Sequence, residues 1–248
     1  MLYGEHAFLD RFDAAAADGF RGVEFVSPYE FTPEQVQKAA ASAGLEVVLF
    51  NSPAGDWTAG QRGCACDPRA QETFQQSVRQ ALDYAGALGT KRLHVMAGIL
   101  PEDAGAAEAE AVLVENLRWA AQHLQGAGVT ALIEPINPVD MPGYGLSSLA
   151  QGERVLAAVG HDNLMLQYDF YHMAMMGAAW ISEFTRLLPL IGHVQIADQP
   201  GRGEPGTGTI DFVDVFAAIR GSGYEGWVGA EYLPKRGTSA GLGWRDLI

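Results

Sequence analysis

Short apolar runs, three of them closing on an acidic residue, alternate along this chain with longer amphipathic segments. No other feature limits the fold as tightly. The runs fall at residues 22–26, 46–50, 92–96, 130–134, 164–169, 191–196 and 227–231. Helical periodicity fills the intervals at 9–17, 32–43, 70–88, 104–124, 149–159, 178–188 and 212–220. Some helix ends are readable. Thr32-Pro33-Glu34-Gln35 has the form of a capping box with proline at the first helical position. Gly44 and Gly89 stand where a left-handed C-cap is expected. Strand–helix alternation of this kind predicts a parallel sheet.

An open doubly wound sheet and a closed barrel both satisfy that pattern, and the polar residues decide between them. Glu134, Asp169, Gln195 and Glu231 stand at or near the C-terminal ends of four apolar runs. In a barrel those ends converge on one mouth, where barrel enzymes carry their chemistry. In an open sheet, strands so far apart in order do not reach one point. No Gly-x-Gly-x-x-Gly follows an early strand, which removes the main support for a dinucleotide fold. The expectation is an α/β protein, a single (β/α)8 TIM barrel over residues 1–248. Eight strands are required, yet only Met1–Tyr3 precede the first helical segment, so the first strand is expected to be short or missing and the chain to begin inside or just after it. Gly/Pro-rich segments 51–63, 137–145 and 199–208 all follow strand ends and read as mouth loops.

A formal net charge of −14, with sixteen Lys and Arg spread without a run, excludes a generally basic nucleic-acid-binding surface. No apolar stretch approaches the ~20 residues of a membrane span, and no signal-like leader is visible. The two cysteines, Cys64 and Cys66, are too close for an unstrained disulfide and lack zinc-like companions, so they read as free thiols in a reducing, cytoplasmic setting. The expected partner is a small sugar-acid substrate, without nucleic acid or membrane, and homo-oligomerisation is compatible with the sequence.

Strand alternation places Glu134 on the face of Leu132, Asp169 on that of Gln167, Gln195 on that of His193 and Glu231 on that of Gly229. Three carboxylates converging on one mouth repel one another unless a cation lies between them. Two Glu, one Asp and one Gln are all oxygen donors, a set suited to Mg²⁺ or Mn²⁺ rather than to zinc or copper.

Here the sequence resembles a known family. IEPIN (133–137), QYDFYHM (167–173), HVQIADQPGRGEPGTGTID (193–211) and GAEY (229–232) are similar to segments of the hydroxypyruvate isomerase family, a branch of the xylose-isomerase-like barrels. GFRGVEF (19–25), NSPAGDW (51–57) and GLGW (241–244) extend the resemblance over essentially the whole chain. It implies that Glu134, Asp169, Gln195 and Glu231 are metal ligands and that Glu134 and Glu231 double as the proton-transfer pair. His172 and Arg202 match positions that contact substrate oxygens in related enzymes. Ketose 3-epimerases of the same superfamily carry His where this chain has Gln195, which favours the hydroxypyruvate-type branch.

Interconverting hydroxypyruvate and tartronate semialdehyde requires proton removal beside a carbonyl and its return at the neighbouring carbon, through an enediolate. Two carboxylates can divide that work. The substrate's own carboxylate needs a cation, for which Arg202 and Arg62 are candidates. His94 is a further candidate for substrate contact, with a core role as its alternative. His193 reads as a support for Gln195, Glu24 as a bond to backbone or ligand, and Trp57 as a lid or a packing residue. Three rivals stand beside this reading: a metal-dependent endonuclease of the same superfamily, a silent sugar-acid-binding barrel, and an isomerase or epimerase of a longer sugar acid such as a four-carbon 2-oxo acid.

Overall fold

A computed structural model describes residues 1–247. Seven strands form one parallel sheet in strict sequence order: β1 (Gly22–Phe25), β2 (Glu46–Asn51), β3 (Arg92–His94), β4 (Thr130–Ile133), β5 (Leu164–Asp169), β6 (Ile191–Ile196) and β7 (Val228–Ala230). Sequential parallel pairing with a helix in every crossover curls the sheet toward a barrel. The helices are α1 (Arg11–Ala17), α2 (Pro33–Ala43), α3 (Gln71–Leu88), α4 (Ala106–Gly126), α5 (Leu149–Val159), α6 (Phe170–Met175), α7 (Trp180–Leu187) and α8 (Phe212–Ser222). Among the described residues no helix is long and apolar enough to cross a membrane.

The cylinder is not closed by backbone. β1 and β7 lie at the two ends of the hydrogen-bonded order, and no strand forms before β1. The opening residues turn instead, with the His6 amide donating to the Tyr3 carbonyl, and run into a 3₁₀ turn at Phe8–Asp10. This is the reduced first strand that the sequence leads one to expect. Tyr3 and Glu5 tie that segment to Thr238 near the other terminus: the Tyr3 amide donates to Thr238 Oγ1, and the Thr238 amide donates to Glu5 Oε1.

Local chemistry explains the element ends. Thr32 Oγ1 accepts from the Gln35 amide while Gln35 Oε1 accepts from the Thr32 amide, a reciprocal cap on α2. Gly44 and Gly89 close α2 and α3 in the left-handed conformation, as their positions require. Two small residues shape the barrel floor. A Cβ on Gly22 would lie 2.7 Å from Val48, and one on Gly192 would lie 2.7 Å from Leu132. Their absence admits Val48, Leu132, Met165 and Trp227, an apolar plug beneath the mouth. The β5–β6 register skips Gly192, a bulge that turns His193 and Gln195 onto the face of Gln167 and Asp169.

The differences from the sequence reading cluster at strand ends. β3 stops at His94, β4 at Ile133 and β7 at Ala230, short of Met96, Glu134 and Glu231. Beyond those points the chain leaves the ladder. Ala97 bridges Gly63 in the antiparallel sense, and the Ala97 amide donates to the Tyr144 hydroxyl. α6 has no counterpart in the periodicity, because its six residues are almost wholly buried and show no polar face.

Candidate active site

Each functional side chain sits at or just past a strand end on the same rim. Glu134 and Glu231 follow β4 and β7 by one residue, Asp169 and Gln195 belong to the last turns of β5 and β6, and His94 closes β3. The Glu231 amide still donates to the Ile196 carbonyl at 3.1 Å, which fixes the carboxylate although the ladder has ended. Asp169 is also the N-cap of α6. Its Oδ1 accepts from the Tyr171 amide at 2.9 Å, leaving Oδ2 to meet the Arg202 guanidinium. That helix carries His172 to the same rim.

Arg202 knits the acids together. Its Nη2 donates to Asp169 Oδ2 at 3.1 Å and to Glu231 Oε2 at 2.9 Å, and its Nε donates to the Glu231 carbonyl. The residue holds φ at +52°, a conformation costly for a side chain larger than glycine. Between them, hydrogen bonds from Arg202, Asp198 and Gly203 pin this loop: the last two exchange amide–carbonyl bonds at 2.9 Å. Tyr171 lies under the guanidinium at 5.2 Å and donates its hydroxyl to Asp140.

His172 Nε2 is 3.7 Å from both Glu134 Oε1 and Asp169 Oδ2, and these three residues could hold a metal. The tautomer argues for a different division of labour. Asn137 Oδ1 accepts from the Val139 and Asp140 amides, which fixes its amide so that Nδ2 points at His172 Nδ1, 2.7 Å away. Nδ1 is therefore the acceptor, and Nε2 carries the hydrogen. An imidazole in that state presents a donor, not a lone pair, to the cavity, so it suits a substrate oxygen better than a cation. Burial, then the charge of Arg202, holds His172 well below the ordinary imidazole range. Burial alone pushes His94 down to about 3, so it too is neutral; its Nδ1 is 3.8 Å from Glu134 Oε2.

Glu24 is the residue whose role the sequence left open. Its carboxylate leans across β7, lying against Gly229, where a Cβ would be 2.2 Å from Oε1. There Oε2 meets His193 Nε2 at 2.6 Å and Oε1 accepts from Gln195 Nε2 at 2.7 Å. Gln195 Oε1 in turn accepts from Gln167 Nε2 at 2.6 Å. The amide nitrogen of Gln195 is thus committed to Glu24, and its oxygen is the end turned toward β5.

Burial raises the carboxyls of Glu134, Asp169 and Glu231 above the ordinary range, and Asp169 reaches about 7. For Glu134 the charges of Glu231 and Asp169 push the same way. Glu134 Oε1 and Gln167 Oε1 are buried without a hydrogen-bond partner. Three carboxylates against one guanidinium, with uncommitted oxygens among them, fit an oxygen-preferring divalent cation. The cavity that Glu134 and Glu231 line has a volume of about 650 Å³ and is bordered by Arg202, Arg62 and Trp57, and Trp57 is 46% exposed at its rim.

Comparison with known proteins gives a consistent picture. A family profile described as xylose isomerase-like TIM barrel matches residues 12–247. A 2-oxo-tetronate isomerase of Cupriavidus necator is 47% identical over 244 residues, covering 98% of this chain and 94% of that protein. A hydroxypyruvate isomerase of Escherichia coli is 47% identical over 246 residues, covering 99% and 95%. A crystal structure from Brucella melitensis, titled AP endonuclease, family 2, superposes with a TM-score of 0.96 at 38% identity, covering 99% of this chain and 95% of that one.

Proposed function

The chain belongs to the xylose isomerase-like TIM-barrel family, and we propose that within it the protein is an aldose–ketose-type isomerase of short sugar acids, converting hydroxypyruvate to tartronate semialdehyde. The observation that carries this reading is the group formed by the buried carboxylates of Glu134 and Asp169 and the half-buried one of Glu231 on one rim, held by Arg202 beside a neutral His172. The two 47%-identical relatives, one named for each of two short acids, support the substrate class.

Glu134 and Glu231 form the proton-transfer pair. Burial holds both above the usual carboxylate range, which brings their basicity nearer to that needed to accept a proton from carbon at neutral pH. One takes the proton beside the carbonyl and the other serves the neighbouring carbon. His172 donates Nε2–H to a substrate oxygen, Arg202 contacts substrate from the edge of the acid cluster, and His94 packs behind Glu134 as a neutral neighbour. Glu134, Asp169, Glu231 and the amide oxygen of Gln195 would hold Mg²⁺ or Mn²⁺, which when bound supplies Lewis-acid stabilisation of the charge that develops on two adjacent substrate oxygens. Glu24 keeps the Gln195 oxygen available for that role. Cys64 and Cys66 are free thiols raised to about 11 by burial, in keeping with a reducing, cytoplasmic setting.

The equal identity to a 2-oxo-tetronate isomerase favours a second reading, the same chemistry on a four-carbon acid. Incubation of both acids with enzyme and Mg²⁺ or Mn²⁺ in deuterium oxide separates the two. Deuterium should enter at carbon in the true substrate, and absence of exchange in both acids refutes the reading. The nuclease activity for which the Brucella protein is named lacks support from the cavity: the metal-capable group among the described residues contains one histidine.

A further inference from the structure

We infer that Arg62, pressed against the Trp57 ring, takes the carboxylate of the substrate and so sets the preference for sugar acids over neutral sugars. The inference rests on the sugar-acid isomerase reading and divides a task that the sequence leaves shared between Arg62 and Arg202.

Arg202 has no two-point edge to offer. Its Nη2 is shared between Asp169 and Glu231, and its Nε is committed to a backbone carbonyl. Only Nη1 is left over, so a further carboxylate could gain a two-point contact there only by displacing one of the acids that the reaction needs. Arg11 and Arg21 also line the cavity, but they flank the opening between β1 and β7. Arg11 donates to the His6 carbonyl and Arg21 lies over Trp227, which starts from the far end of β7.

Arg62 differs in place and in preparation. It stands in the loop after the C-terminal end of β2, on the rim of the same cavity as Glu134 and His172. Its guanidinium lies 3.7 Å from the centre of the Trp57 ring, and Nη1 donates to the carbonyls of Trp57 and Gln61 at 3.0 and 2.7 Å. Among the described residues it has no carboxylate partner, so the edge formed by Nε and Nη2 is free for a two-point contact. The loop that bears it is bonded to itself. Asp56 Oδ1 accepts from the Thr58 and Ala59 amides, Gln61 Oε1 accepts from the Asp56 amide at 2.6 Å, and the Gly63 amide donates to the Ala54 carbonyl. An arginine stacked on indole and fixed by two carbonyls loses little freedom when an anion arrives. The site is otherwise acidic, with Glu24, Glu134, Asp140 and Glu231 on the cavity wall, so an anionic substrate requires a positive contact away from the reacting carbons.

The test uses three probes: hydroxypyruvate as substrate, tartronate as a dicarboxylate with no carbonyl to isomerise, and dihydroxyacetone, which has a hydroxymethyl group in place of the carboxylate. In Arg62→Gln the KM for hydroxypyruvate and the calorimetric Kd for tartronate should each rise about tenfold or more, while the inhibition constant of dihydroxyacetone changes several times less. Arg62→Lys should recover part of the loss, and Trp57→Ala should weaken tartronate with Arg62 intact. Unchanged tartronate binding in Arg62→Gln overturns the assignment, as does a selective loss for the acids in Arg11→Gln or Arg202→Gln instead. A wild-type enzyme that binds tartronate through Arg62 yet isomerises no short 2-oxo acid refutes the functional reading and leaves the anion site standing.

Discussion

At the scale of single residues, the design separates groups that move protons from groups that hold them in place. On the proposed mechanism Glu134 and Glu231 carry the proton, so Glu134→Gln and Glu231→Gln, which keep an oxygen donor and nearly the same shape, should each lower kcat by about 10²-fold or more. Steady-state rates with metal saturating check this; near-normal turnover in both variants would end the two-carboxylate mechanism. The placement of Glu134, Asp169, Gln195 and Glu231 on one rim was legible in the sequence because each lies at or near the end of an apolar run and period-two alternation fixes which residues share a face. The state of His172 was not legible, since it depends on Asn137, whose amide is oriented by two backbone groups of its own loop. Glu24 was visible as a strand-end acid, but its partners are 169 and 171 residues away and nothing local announces them.

At the scale of elements, short pieces defeat periodicity while their caps do not. α6 is buried on nearly all sides, so no polar face betrays it, and its signal is the aspartate that caps it. The closing residues of β3, β4 and β7 were read as strand because they remain extended after their ladder bonds stop. Glycines in strands carried information that only packing reveals. Gly229 has an ordinary strand conformation, so alanine strains no backbone there, yet its Cβ would occupy the place of the Glu24 carboxylate. Gly229→Ala should therefore expel Glu24, leave Gln195 and His193 short of a partner at a cost of roughly 2 kcal/mol, and lower Tm by about 4–8 °C. Melting by circular dichroism measures it, and a Tm equal to that of the wild type would show that Glu24 does not need the space. The variant should also bind Mn²⁺ more weakly, because the Gln195 amide is then free to turn its nitrogen toward the cavity.

At the scale of the whole molecule, the acid cluster links stability to pH. Burial holds Asp169 at about 7, above its ordinary 3.8, and holds Glu134 and Glu231 above theirs. Between those values the folded chain keeps a proton that the unfolded chain has released. The resulting contribution to stability is complete below about 3.8 and is lost as pH rises through about 7. The Tm of the metal-free protein should accordingly fall from about pH 4 to about pH 7 and level off above it, Asp169→Asn should flatten that fall, and Mg²⁺ or Mn²⁺ should abolish it by favouring the ionised acids. Calorimetric scans across that range decide the matter; a metal-free Tm that climbs with pH would contradict it. The barrel itself was readable from alternation, and so was its thin place, from the lack of a strand-length apolar run before Leu9.

That thin place makes the cylinder a band with a clasp. Where neighbouring strands elsewhere are stitched by amides, the two margins of the sheet meet at the height of the mouth through one carboxylate, that of Glu24, reaching over Gly229 to the β6 side chains. Amides on those margins have no ladder partner to shield them, so β1 and β7 should exchange hydrogen with solvent earlier than β4 and β5. If Gln195 serves as a ligand, as proposed, a cation filling the mouth pulls on it and hence on the clasp. Exchange at the two margins should then slow together, a seam tightened from within by whatever the enzyme holds.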